Sequence, residues 1–366
     1  MQDRGLYNKH SRDHKLIRDY ARYLHIDRQV ENYTQDVDNV ARYLYYMDPN
    51  EPSLHFVLNK EKTQQYLRDL TEAGLMKQTQ INYLKNLKCF LKFHTYHTDL
   101  KKKDPDLHGH CVDFIEFLGL QQGTCAKQVS KEVVRKRHGA LSTDSQRAPK
   151  ECHGVLETAK KDFLAVISKV FPDETQLSPQ EITFVVYYLE ALITLKHLQR
   201  VGVVKHMTVE EWIKRRKTDD GHTVVGVMEH KTAAQQVAMF ALDQEEEMWC
   251  DTYYTRIRPQ IFRSKRCVAD QDRGRFFLSL KGTPIYNPSN DIRRLHEKYE
   301  LEPVTNQEAR RVYETAMKTK TDSERNLVAD YLTHSNITAE RHYRMKLPEN
   351  IVRGRHLIDF AAGDSR

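Results

Sequence analysis

Over the first 120 or so residues the apolar side chains recur three and four apart, and little of the stretch alternates, which confines it to packed helices. In NYTQDVDNVARYLYYM, Val37, Val40, Ala41 and Leu44 share one face, and KTQQYLRDL continues at a similar period. After Gly74, KQTQINYLKNLKCFLKF sets Ile81, Leu84, Leu87, Phe90 and Leu91 on an apolar stripe with Lys85, Lys88 and Lys92 between them. Such a lysine row is either the solvated face of a bundle helix or a helix laid beside a phosphate backbone. A further helix near VDFIEFLGL closes the bundle. At 366 residues the chain is long enough for a second domain with its own core.

The pattern changes after the basic stretch KEVVRKRHG. STDSQRAPK reads as a loop, which puts a domain boundary near 140 to 150. The amphipathic GVLETAKKDFLAVISKVF that follows fits either domain. At LSPQEITFVVYYLEALITL a helix start is well marked: Ser178 as N-cap, Pro179 at the first helical position, Glu181 three residues after the cap. TVVGVMEHK reads as a strand with QQVAMFAL as its partner, LDQEEEMWCDTYYTRI as a helix capped by Asp243, and FFLSL as another short strand. NPSNDIRRLHEKY, TNQEARRVYETAMKT, SERNLVADYL and NITAERHYRM are helical. The expected class is mainly α with a small antiparallel sheet, an α+β fold.

Lys and Arg number 58 against 51 Asp and Glu, and the pI is near 8.9, which makes a polyanionic partner plausible. Six cysteines lie scattered without C-x-x-C spacing, so neither a zinc site nor a disulfide framework is expected, and a reducing compartment fits. No apolar run approaches the ~20 residues of a membrane span, and MQDRGLYNKHSRDH is too polar for a secretory signal, so a soluble intracellular protein is expected.

Near the C-terminal end, YLTHSNITAERHY has a leucine and a small residue before His334, a serine after it, and Tyr343 nine residues beyond. Upstream lies EARRVYETA, with Arg310, Tyr313 and Thr315, and further upstream ITLKHLQRVGVVKHMTVEEW, an apolar helix leading to Arg200 and a Thr-x-x-x-Trp exit. Between them Lys231 sits at the turn of VVGVMEHKTAAQQVAMFAL. The order Arg, Lys, Arg, His, Tyr resembles the tyrosine recombinase and integrase superfamily. The resemblance implies a helical core-binding domain over residues 1–125, a linker and connecting helix over 126–175, a catalytic domain over 176–346 and a tail over 347–366. GLMKQTQINYLKNLKCFLKF is similar to the family's stretch in which a threonine-capped basic helix crosses the DNA backbone, which implies DNA contacts from Lys77, Thr79, Lys85, Lys88 and Lys92.

The implied chemistry accounts for these residue types. Attack on a phosphodiester builds negative charge on the non-bridging oxygens, and two guanidiniums, Arg200 and Arg310, can grip those oxygens bidentately. Tyr343 is the implied nucleophile, Lys231 the donor to the departing 5′ oxygen, and His334 a hydrogen-bond donor to the phosphate or the attacking oxygen. The 3′-phosphotyrosyl product conserves bond energy, so resealing needs neither ATP nor metal, and no cofactor is expected. Double-stranded DNA is the implied partner, together with further copies of the chain as a dimer or tetramer.

Two positions depart from the family pattern. Gln307 stands where a basic or imidazole side chain is usual, and Val203 where an acidic one is usual, so Arg200 needs another partner. Arg311 competes with Arg310 by one residue of register, although the aromatic and threonine spacing favours Arg310. These departures keep open a domesticated recombinase that binds DNA without cutting it, and a type IB topoisomerase uses a similar residue set. The Gln-Arg-Val-Gly and Glu-His-Lys-Thr runs look most like eukaryotic mobile-element recombinases of the Crypton type, which implies a nuclear site of action. The tail, with Ile351, Leu357, Ile358 and Phe360, reads as a helix that docks on a neighbouring subunit or on its own domain.

Overall fold

The computed structural model of the chain describes residues 4–30, 32–141, 147–171, 175–229, 237–263 and 271–344, with 352, 353 and 355 beyond. It divides into two compact units, Met1–Gly139 and Ala140–Arg366. The described residues form a mainly α structure with one small antiparallel sheet. No described helix is long and apolar enough to cross a membrane.

The first unit comprises α1 (Lys15–Arg22), α2 (Tyr33–Met47), α3 (Lys60–Glu72), α4 (Lys77–Tyr96), the single turn α5 (Leu100–Lys103) and α6 (Pro105–Leu141). The stripes legible in the sequence are the buried ones: Val37, Val40, Ala41 and Leu44 of α2 join Ile81, Leu84, Leu87, Phe90 and Leu91 of α4 in one core. Rings lock that core, with Tyr20 edge-on to Phe90 and Phe56 edge-on to Phe114. The last helix is longer than its apolar pattern suggests. Cys111, Phe114, Leu118 and Cys125 are its buried face, and from 126 the helix continues to Leu141, with a mostly exposed surface as far as Arg135.

The second unit begins with α7 (Gly154–Ser168), whose Val155, Leu156, Phe163 and Ile167 enter this unit's core and so settle a membership the sequence left open. It continues with α8 (Pro179–Ala191), α9 (Val201–His206) and α10 (Val209–Ile213). The start of α8 is the expected one: the Ser178 hydroxyl accepts from the Glu181 amide at 3.2 Å while Glu181 accepts from the Ser178 amide at 2.8 Å. The sheet has order β1 (Arg216–Lys217), β2 (Thr223–Val227), β3 (Ala238–Leu242), with Val225 paired to Phe240. Thr223, Val225 and Val227 face the core with Ala238, Phe240 and Leu242, as period-two alternation requires. Gly221, at φ +86°, allows the tight return from β1 to β2.

After the sheet come α11 (Gln244–Thr252), capped by Asp243 as expected, α12 (Arg258–Arg263), α13 (Pro288–Lys298), α14 (Asn306–Ala316), α15 (Asp322–Tyr331) and the short α16 (Asn336–Thr338). The expected strand FFLSL is not one. Phe276, Phe277 and Leu278 are all buried, yet only isolated bridges, Thr208 to Arg275 and Leu278 to Pro284, reach them. A β-prone run without a neighbouring ladder stays an extended segment, and here it turns back at once through a Ser279 amide to Thr283 carbonyl bond of 2.8 Å.

One buried group in this core is poorly served. Glu190, on α8, is fully buried, and neither carboxyl oxygen has a hydrogen-bond partner among the described residues. Burial first, and then the charge of Asp291, hold its carboxyl well above the usual carboxylate range. The folded chain therefore keeps a proton there that the unfolded chain releases above its ordinary pKa of 4.5, so this residue costs stability as pH rises from that point. Glu190→Met is expected to stabilise the protein by about 1–3 kcal/mol at neutral pH, with the gain shrinking toward pH ~4.5. Urea unfolding of both forms at the two pH values measures it; a gain that does not change with pH would rule out a buried protonated carboxyl.

Candidate functional site

Arg200 is delivered by an interruption in helical structure. After α8 the chain makes a wide turn over Leu192–Lys196, closed by a bond from the His197 amide to the Leu192 carbonyl five residues back, and Leu198 then takes φ +56°. Arg200 follows as the residue capping α9 in extended conformation. Its guanidinium donates to the carbonyl of Thr333 at 3.2 Å and to the Thr333 hydroxyl. Val203 is buried in the core, so the orienting role that an acidic side chain would play there passes in part to Thr333. Asn306 fixes the approach, donating to the carbonyls of Thr194 at 2.7 Å and Gln199 at 2.8 Å.

Arg310 sits on the buried face of α14, a helix capped by Thr305, and is about 1% exposed. One terminal nitrogen donates to the Leu198 carbonyl at 2.6 Å; the other donates to the Leu332 carbonyl at 2.5 Å and to Nδ1 of His334 at 3.0 Å. Its Nε–H has no acceptor among the described residues. Burial, and secondarily the nearby Arg200 charge, push this guanidinium down to about 10, against a raising contribution from the Tyr343 phenol, which bonds to it. The group stays charged at neutral pH. Arg311, the alternative in register, is exposed, so α14 turns Arg310 and not its neighbour inward.

Tyr343 completes the cluster. Its ring stacks on the His334 imidazole with centroids 4.9 Å apart and planes 12° from parallel, and the Arg310 guanidinium carbon lies 5.5 Å from the same ring. The residue arrives through a second wide turn, Ala339–Tyr343, closed by a bond from the Arg344 amide to the Ala339 carbonyl. Beneath it, Glu314 is wholly buried: one carboxylate oxygen bonds Nε2 of His334 at 2.7 Å and the other bonds Nε of Arg344 at 2.8 Å. Burial alone would raise the Glu314 carboxyl, but the His334 hydrogen bond and the Arg344 charge outweigh it and hold it low.

Four of the five residues expected at a catalytic centre, Arg200, Arg310, His334 and Tyr343, thus gather in one place. The fifth, Lys231, lies outside the described residues. Strand β2 ends at Val227, and two residues on, Glu229 is held by Arg275 at 2.7 Å and His206 at 3.0 Å. Two expectations change in detail. Both ring nitrogens of His334 are engaged within the protein, so a bond from His334 to phosphate requires one of them to let go. Both terminal nitrogens of Arg310 already bond backbone carbonyls, so a bidentate grip requires an exchange of partners. Gln307 is exposed on α14.

On the first unit the expected DNA-facing residues divide. Lys85 and Lys92 are exposed on α4. Lys88 reaches Gln122 of α6 at 3.1 Å, and Lys77 bonds the Thr71 hydroxyl at 2.6 Å and Gln80 at 3.2 Å. Thr79 does not cap the helix: α4 begins two residues earlier, with Met76 as N-cap and no side-chain cap. A helix capped by Thr79 would leave Lys77 outside it, whereas the Gln80 amide already bonds the Met76 carbonyl at 3.1 Å.

Sequence reasoning missed Thr333, Glu314, Arg344 and Asn306. For Glu314 a signal existed, because it lies four residues after Arg310 and therefore on the same helix face. Thr333 had none beyond the small-residue slot before His334. Among the described residues no group of three His, Cys, Asp or Glu side chains is placed to hold a metal.

No protein-family model matches the sequence, and no curated protein matches it. Among solved structures, the crystal structure of XerA recombinase is similar over 96% of this chain and 99% of that chain, at 14% identity and a TM-score of 0.37. A likeness of that size leaves the chemistry to be read from the chain's own residues.

Proposed function

We propose that this chain is a DNA strand-transfer enzyme of the tyrosine recombinase type, which cuts and rejoins double-stranded DNA through Tyr343. The observation that carries the reading is the packing of one phenol against a buried guanidinium and an imidazole, with a second guanidinium nearby. A tyrosine in an ordinary core has no use for buried cations, and burying a guanidinium to this extent is costly unless its charge is put to work. In the proposed step the Tyr343 oxygen bonds to phosphorus and gives up its proton, the bond from phosphorus to the 5′ oxygen breaks, and that oxygen takes a proton, a role proposed for Lys231. Arg200 and Arg310 stabilise the charge that develops on the phosphoryl oxygens. The Nε–H of Arg310 has no acceptor among the described residues but is buried, so it can reach a phosphoryl oxygen only when its cover moves.

The test is incubation with a nicked suicide substrate that traps the covalent intermediate, in the presence of EDTA, followed by denaturing electrophoresis. A protease-sensitive adduct at the 3′ end supports strand transfer. Relaxation of supercoiled DNA lacking any special site would instead favour topoisomerase chemistry. A second reading, a protein that grips DNA without cutting, draws on the engaged nitrogens of Arg310 and His334. Salt-sensitive DNA binding with no adduct on any substrate would select it. Assembly on DNA as a dimer or tetramer, a mobile-element origin of the Crypton type and action in the nucleus belong to the same proposal and rest on the sequence resemblance.

Thr333 gives a test of how Arg200 is held. Its φ of +55° is a left-handed conformation that a β-branched residue adopts only under strain, whereas glycine adopts it freely. Thr333→Gly relieves strain of about 1–3 kcal/mol but removes the hydroxyl that Arg200 bonds. The expected result is stability within about 1 kcal/mol of the parent, because added freedom of the unfolded chain offsets the relief, with adduct formation at least about tenfold slower. Equal rates would show that Arg200 is oriented without this hydroxyl.

A further inference from the structure

We propose that Glu314 is a positioning residue for the nucleophile: its carboxylate dictates which nitrogen of His334 carries the hydrogen and anchors Arg344, so that Tyr343 is held against Arg310 from both sides. The inference rests on the strand-transfer reading of the site.

A guanidinium only donates, so Nδ1 of His334, 3.0 Å from Arg310, has to accept. The ring hydrogen then belongs on Nε2, where Glu314 accepts it at 2.7 Å. Without that acceptor, Nε2–H would be a buried donor with no partner, and the alternative tautomer would turn its hydrogen toward Arg310, donor against donor. A tilted or rotated imidazole would no longer offer a flat face parallel to the Tyr343 ring. The other Glu314 oxygen acts on the backbone side. It holds Nε of Arg344, the residue next to Tyr343, whose side chain is completely buried and also bonds Asn336 and Glu340. Arg344 in turn closes the wide Ala339–Tyr343 turn through its amide. One carboxylate therefore fixes the surface on which the nucleophile rests and the chain segment that presents it.

Glutamine cannot take over both tasks. It has one acceptor oxygen where two donors converge, so its NH2 must confront either Nε2–H of His334 or Nε–H of Arg344. The conservative change is therefore diagnostic.

The experiment is nitrogen-15 NMR of the full chain labelled in histidine, with His334 assigned by a His334→Gln control, alongside adduct kinetics on the suicide substrate. In the wild type, His334 is expected to carry its hydrogen on Nε2 and a bare Nδ1. Glu314→Gln is expected to shift the tautomer toward Nδ1–H and to slow adduct formation by about a hundredfold, with DNA affinity unchanged. A wild-type ring protonated on Nδ1 overturns the proposal, and so does a Gln variant with unaltered tautomer and rate. The wild-type result can overturn the proposal even if the variant does not fold. Should the wild type form no adduct with any substrate, strand transfer fails as the function, while the tautomer still reports whether Glu314 orders the ring.

Discussion

Replacing Tyr343 by phenylalanine is expected to abolish the covalent protein–DNA adduct while leaving DNA affinity within about threefold of the parent, a difference below ~0.7 kcal/mol. The asymmetry follows from what the ring does. Phenylalanine keeps the stacking on His334 and the face presented to Arg310, which are properties of the ring and not of the hydroxyl. It loses the oxygen proposed to bond phosphorus. Circular dichroism and thermal melting check that the fold is retained, and electrophoresis under denaturing conditions reads the adduct. An adduct that persists in the phenylalanine variant removes Tyr343 from the chemistry and points to another of the 19 tyrosines.

Arg310→Lys is expected to slow adduct formation by about 10²–10³-fold and to destabilise the fold by about 1–3 kcal/mol. Charge is conserved in this exchange, so a purely coulombic role would predict little change. Geometry is what fails. The guanidinium meets the Leu198 and Leu332 carbonyls and Nδ1 of His334 in three directions fixed by a planar fork, and a single ammonium on a flexible stem cannot reach all three. The separation between the two readouts matters. Loss of stability without loss of rate, measured well below the melting temperature, would make Arg310 a strut of the fold with no part in phosphate chemistry.

What the sequence disclosed was local. The start of α8 at Ser178 and that of α11 at Asp243 were legible because a capping box is written within four residues, and the stripes of α2 and α4 because helical period is a short-range property. The spacing from His334 to Tyr343 survives in the structure as a stacked pair. What escaped depended on remote neighbours. FFLSL has the composition of a strand but no strand beside it, and the two-residue β1 exists only because β2 pairs with it. Thr333 holds Arg200 from 133 residues away, a contact that no window of sequence contains. Glu314 was in view as part of a motif, yet its burial between His334 and Arg344 depends on where two later segments come to rest.

The backbone carbonyls around Arg310 carry a consequence for safety in the cell. Leu198 belongs to the loop after α8, Arg310 to α14 and Leu332 to the end of α15, so three distant stretches of chain must converge before that guanidinium is seated. A nascent polypeptide, a proteolytic remnant or a misfolded copy lacks at least one of them. Under the strand-transfer activity proposed above, this ties the capacity to cut DNA to completion of the second unit, and damaged molecules are disarmed by the same event that damages them.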